Sequence, residues 1–114
     1  MMPRSSTIAE PFEEIPNVTR LDPIHPGEIL KHDFMEPMGL SDTALARAIG
    51  VTPARINEIV RGRRGITAET ALRLARYFST DARSWMNLQD RYELELAARD
   101  KAEALRAIHP RSVG

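Results

Sequence analysis

The chain has 114 residues, 42% of them hydrophobic and 28% charged, which suits one compact core and leaves little room for a second domain. It contains no cysteine, which excludes a disulfide framework and a thiolate metal site. No apolar run approaches the about 20 residues that a membrane span requires, and no apolar leader opens the chain, so a cytoplasmic location is expected.

The net charge is zero, but the charges are segregated. Residues 1–40 hold three basic and seven acidic side chains, residues 41–78 seven arginines and three acids, and residues 79–114 six of each. The net +4 of the middle third is the feature to place, because a local basic patch matters more to a polyanionic partner than the total charge does.

Residues 1–22 are proline-rich and polar and show no sustained periodicity. They read as a flexible arm, with a short strand at Ile15–Leu21 only weakly signalled. Capping signals then divide residues 23–108 into five helices, leaving 109–114 as a tail. The first helix starts at Pro26, a proline at a first helical position, and runs through Ile29 to Pro37 with Leu30, Phe34 and Met35 inward. Ser41 is the N-cap of the second, which carries Leu45, Ala46 and Ile49 inward and stops at Gly50. Thr52 followed by Pro53 opens the third, which closes at Gly62. Thr67 caps the fourth, which ends near Phe78 with Ala71, Leu74, Ala75 and Phe78 on one face. Asp81 caps the fifth, where Trp85, Leu88, Tyr92 and Leu96 recur at helical spacing; the helical pattern reaches about Ile108.

Helices two and three are separated by only three or four residues. Such a junction demands a small residue where the helices approach, a residue that tolerates the turn, and apolar locks on both sides. Ala46 meets the first demand and Gly50 the second, with Val51 as a plug and Leu45, Ile49, Ile56 and Ile59 as locks. Five independent constraints are met within about twenty residues, which identifies a helix-turn-helix. Helix three is then the recognition helix. At 100° per residue Ile56, Ile59 and Val60 face the core, while Ala54, Asn57, Glu58 and Arg61 face out, with Pro53 and Arg55 at the margins. The expected base-contacting set is Pro53, Ala54, Arg55, Asn57 and Glu58. Asn57 suits adenine, Arg55 guanine and Ala54 a thymine methyl; Glu58 suits either a cytosine amine or the orientation of a neighbouring arginine. Arg61, Arg63 and Arg64 lie in a glycine-rich loop suited to phosphates, and Ser41 sits at a helix N-terminus with the same potential.

His25, His32 and His109 are the remaining candidates for acid–base or metal chemistry. They show no ligand spacing, no second constellation of carboxylates accompanies them, and the adjacent His32 and Asp33 point apart on a helix, so no enzymatic activity, no cofactor and no metal site are expected. Trp85, Tyr92 and the methionines read as core or interface.

The stretches HPGEIL at 25–30, EPMGLSDTALARAIGVTPARINEIVRGRRGIT at 36–67, ETALRLARYF at 69–78 and WMNLQDRYELE at 85–95 resemble, in order and spacing, the HigA antitoxin family within the lambda-repressor-like (Xre-type) regulators. The resemblance runs from about His25 to Leu96. It implies an all-α, five-helix DNA-binding domain with an extended C-terminal helix. It also implies a homodimer that neutralises a HigB toxin, a RelE-like mRNA endoribonuclease, and represses its own operon at a palindromic operator. Carried onto this chain, dimer contacts fall on Trp85, Leu88, Tyr92 and Leu96, with an intramolecular core role for Trp85 left open. Two half-sites about one helical turn apart would follow. An RNA-cutting toxin must be basic, so the acidic N-terminal side chains Glu10, Glu13, Glu14 and Asp22 are expected to form part of the toxin-binding surface. A stand-alone repressor without a toxin partner is the competing reading.

Overall fold

The computed structural model describes residues 22–112, all of whose regular structure is helical. The arm residues Glu10, Glu13 and Glu14 and the weakly signalled strand at 15–21 lie outside the described residues.

Helix α1 is continuous but not uniform. It runs α-helically over Pro26–Ile29, widens to π-helical geometry over Leu30–Met35, and resumes over Glu36–Met38. The uniform helix expected here is therefore corrected. Pro37 has no N–H for an i→i−4 bond and its ring would collide with the carbonyl four residues back; the wider turn, in which the Glu36 N–H donates to the Lys31 carbonyl, avoids this. Gly39, at φ +66°, ends the helix, and the Leu40 N–H closes back on the Met35 carbonyl at 2.9 Å.

Helix α2 spans Asp42–Ile49 and α3 spans Pro53–Val60. Each cap expected from sequence forms: the Ser41 hydroxyl accepts the Ala44 N–H at 3.0 Å and the Thr52 hydroxyl accepts the Arg55 N–H at 3.1 Å. Helix α4 spans Ala68–Phe78 behind its Thr67 cap. Helix α5 spans Ala82–Asp100 behind Asp81, and after Lys101 a short α6 covers Ala102–Arg106. The long fifth helix thus stops at Asp100, and one further turn follows at a small break.

The core joins all five main helices. Leu30, Leu45, Ala46, Ile56, Ile59 and Leu74 are fully buried, with Met35, Ile49, Ala71 and Trp85 around them. Phe34, Val51, Val60, Ala75, Phe78 and Leu88 pack against this centre from its edge. Ile66, 2% exposed, enters the core from the loop between α3 and α4, a position with no helical periodicity to announce it.

Trp85 settles into this core and is removed from the dimer set. It is 2% exposed, its Nε1 donates to Thr80 Oγ1 at 2.8 Å, and its ring lies 5.1 Å from that of Phe34. A side chain this enclosed has almost no area left to offer a partner. Past Gln89 part of the apolar surface of α5 and α6 turns outward: Leu94 is 71% exposed and Leu105 50%.

Candidate nucleic-acid interface

The α2–α3 junction is built by residues from three helices. Ala46 is fully buried where the helices meet, and Gly50 takes φ +77°. The end of α2 is then closed from outside: Arg73, on α4, donates from Nη1 to the Ile49 carbonyl at 2.8 Å. Any Cβ on Gly50 would stand 3.0 Å from that same Nη1. Arg73 is aimed by Glu69, which accepts from its Nη2 at 2.8 Å; this hydrogen bond and the arginine's charge hold the Glu69 carboxyl below the usual carboxylate range. Arg73 carries no signal in the local sequence, because its partner lies 24 residues away.

On α3, Pro53, Ala54 and Asn57 are exposed on one side, and Ile56 and Ile59 are fully buried on the other. Asn57 is not a loose amide. Its Nδ2 donates to Asp42 Oδ2 at 3.0 Å, which leaves Oδ1 and one N–H facing out. That remaining pair has the polarity required for bidentate pairing with an adenine edge. Asp42, in the first turn of α2, holds the amide of Asn57 in place.

Glu58 is bonded to a neighbouring arginine: its Oε1 accepts from Arg64 Nε at 2.7 Å. The two terminal nitrogens of Arg64 remain available, aimed by this bond. Arg55 is 30% exposed and leans towards Glu69 at 3.9 Å, which separates it from the exposed face of Ala54 and Asn57. Arg61 and Arg63 are exposed on the loop, and among the described residues neither forms an ion pair. Ser41 uses its hydroxyl oxygen as the α2 cap and keeps its O–H proton to donate, next to Asp42.

The approach of α1 to α3 depends on Gly27. A Cβ there would stand 1.8 Å from the Ile59 carbonyl oxygen, so only glycine lets the two helices come this close. His25 caps α1 through Nδ1, which accepts the Gly27 N–H at 2.8 Å. The ring is 6% exposed, and burial pushes its pKa down against the opposing effects of Glu28 and of a hydrogen bond to the Arg64 backbone. His32 pairs with Glu36 at 3.0 Å on the surface, and His109 is exposed. Of the acidic residues assigned to a partner, Asp22 is described: it accepts from Arg99 Nη1 at 2.6 Å. Leu88, Tyr92 and Leu96 are half-buried along α5.

This geometry matches known proteins closely. A helix-turn-helix family model matches residues 32–85. Virulence-associated protein I of Dichelobacter nodosus is 58% identical over 89 residues, covering 78% of this chain and 82% of that protein. Antitoxin HigA-1 of Vibrio cholerae is 36% identical over 77 residues, covering 67% of this chain and 71% of that protein. The solved structure of the Pseudomonas aeruginosa antitoxin HigA with the higBA promoter superposes with a TM-score of 0.76 at 46% identity, over 79% of this chain and 99% of that one. Fold, motif and relatives agree: the chain belongs to the HigA antitoxin family of Xre-type helix-turn-helix proteins, a family of DNA-binding regulators and not of enzymes.

Proposed function

We propose that this protein binds the operator of its own operon through α3 and the following loop, and that it neutralises a HigB-like, RNA-cutting toxin encoded beside it. The observation that carries the DNA-binding half is the exposed face of α3. There an amide held by Asp42 stands beside three exposed arginines, one of them aimed by Glu58. In this reading Pro53, Ala54 and Asn57 meet base edges, with Arg55 at the margin, and Glu58 acts through Arg64. Arg61, Arg63, Arg64 and the Ser41 hydroxyl meet phosphates, which fix register without reading sequence. The protein acts as a homodimer in the cytoplasm, paired along Leu88, Tyr92 and Leu96 of α5, so that two recognition helices address half-sites about one turn apart.

Glu10, Glu13, Glu14 and Asp22 form part of the toxin-binding surface. Because Asp22 is already bonded to Arg99, a basic toxin group would have to displace that arginine to use it. The test is affinity purification of the native complex, with and without residues 1–22. Co-purification of a small basic protein by the full chain and its loss on truncation is the expected result. Recovery of the chain alone would leave a stand-alone repressor as the function, and full toxin binding by the truncated chain would remove the arm from the interface.

A further inference from the structure

The segment Arg61–Ile66 has two glycines and three exposed arginines, a composition with no intrinsic reason to hold one shape. Its shape is imposed from α5. Gln89, 5% exposed, accepts the Ile66 N–H through Oε1 at 2.7 Å and donates through Nε2 to Glu93 at 2.8 Å. Gly65 passes so near that a Cβ would stand 2.8 Å from the Gln89 amide nitrogen. At the loop's other end Gly62, at φ +76°, lies against the His25 ring, with its would-be Cβ 3.7 Å from the ring carbon. The ring of Tyr92, three residues after Gln89 on the same face of α5, forms a T-shaped pair with that ring, centroids 4.8 Å apart. One face of one helix therefore holds Gly65 and Ile66 directly and backs the His25 ring against which Gly62 lies, although α5 is remote in sequence from the helix-turn-helix.

We propose that Gln89 is a positioning residue for DNA binding: buried and out of reach of DNA, it holds the arginine loop on α5 in the shape that presents Arg63 and Arg64 to phosphates. This rests on the operator-binding reading above. It also makes α5, the helix assigned to dimer contact, a physical route by which a partner on that helix adjusts DNA affinity. A buried side chain whose amide satisfies one loop N–H and one neighbouring carboxylate is well suited to this, because losing it both frees the loop and leaves a buried N–H unpaired.

The test uses the full chain and four variants. Gln89→Leu removes both hydrogen bonds at similar volume. Gly65→Ala pushes on the Gln89 amide without altering α5. The exchange of Gln89→Glu with Glu93→Gln keeps an acceptor for the Ile66 N–H and a bond between positions 89 and 93. Arg64→Ala reports on the phosphate contact itself. Affinity for the duplex upstream of the chain's own reading frame and for a scrambled duplex is followed by fluorescence anisotropy over a salt series, with circular dichroism to confirm folding. Gln89→Leu and Gly65→Ala are expected to weaken binding to both duplexes about tenfold and to lower the salt slope by about one, with the exchange restoring both. If Arg64→Ala lowers the slope while folded Gln89→Leu and Gly65→Ala keep wild-type affinity and slope, Gln89 is merely structural and the proposal is overturned. If the wild-type chain binds both duplexes equally and Arg64→Ala leaves the slope unchanged, the operator-binding reading falls instead, and this proposal with it.

Discussion

An asparagine that reads a base needs its amide plane held before DNA arrives, and here Asp42 does the holding. Replacing Asn57 by Ala should therefore cost about 1–3 kcal/mol of discrimination between operator and scrambled DNA, with affinity for the scrambled duplex unchanged. Equal losses on both duplexes would show that Asn57 serves affinity and not readout. His25 makes a different kind of prediction. Burial lowers its folded-state pKa beneath the about 6.5 of an unfolded chain, so the unfolded chain takes up the proton first as pH falls. The stability it contributes is complete above that value and is lost as pH drops towards the folded-state pKa. Protonation would also cost Nδ1 its role as acceptor for the Gly27 N–H. Melting temperatures measured from pH 7.5 to 5 should fall more steeply for the wild type than for His25→Asn, which keeps a capping acceptor but does not titrate. Parallel curves would remove His25 as the source.

At the scale of helices, the tightest constraint is the crossing of α1 over α3 at Gly27. A methyl group there meets backbone, not a movable side chain, so Gly27→Ala should destabilise the fold by about 3 kcal/mol, seen as a lowered melting temperature. A wild-type melting temperature would mean that the helices can part without cost. The contrast with the caps shows what was legible in the sequence. Ser41, Thr52, Thr67 and Asp81 act on N–H groups two or three residues ahead, so the helix starts follow from neighbouring residues alone. Ala46, Gly50 and the apolar locks were legible for the same reason. Gln89, Arg73 and Gly27 were not, because what they do depends on Ile66, Ile49 and Ile59, which only the folded chain brings near. The pairings of Glu58 with Arg64 and Asn57 with Asp42 lie between these cases: helical spacing turns Glu58 and Asn57 outward and offers Glu58 a neighbouring arginine, but only the folded chain brings Asp42 to Asn57.

The whole molecule combines a closed core with an open end. Trp85 and Gln89 bind the first turns of α5 to the domain, while Leu94, Leu105 and Ile108 stand half or more exposed beyond them. A two-fold partner along α5 would cover part of this surface and set the separation of two recognition helices. Leu96→Glu should then yield a folded monomer in sedimentation equilibrium, with operator affinity lowered and the helical spectrum retained; an unchanged dimer would move the interface elsewhere. The zero net charge is also accounted for at this scale. Of the seven arginines in residues 41–78, Arg55, Arg61, Arg63 and Arg64 lie on α3 and its loop, while Glu58 and Asp42 are spent on orienting Arg64 and Asn57. The most direct test is the affinity of the purified full chain for the duplex upstream of its own reading frame against a scrambled duplex of the same length at physiological salt. Saturable binding about 1,000-fold tighter to the upstream duplex is expected, and equal affinity for the two would contradict the account.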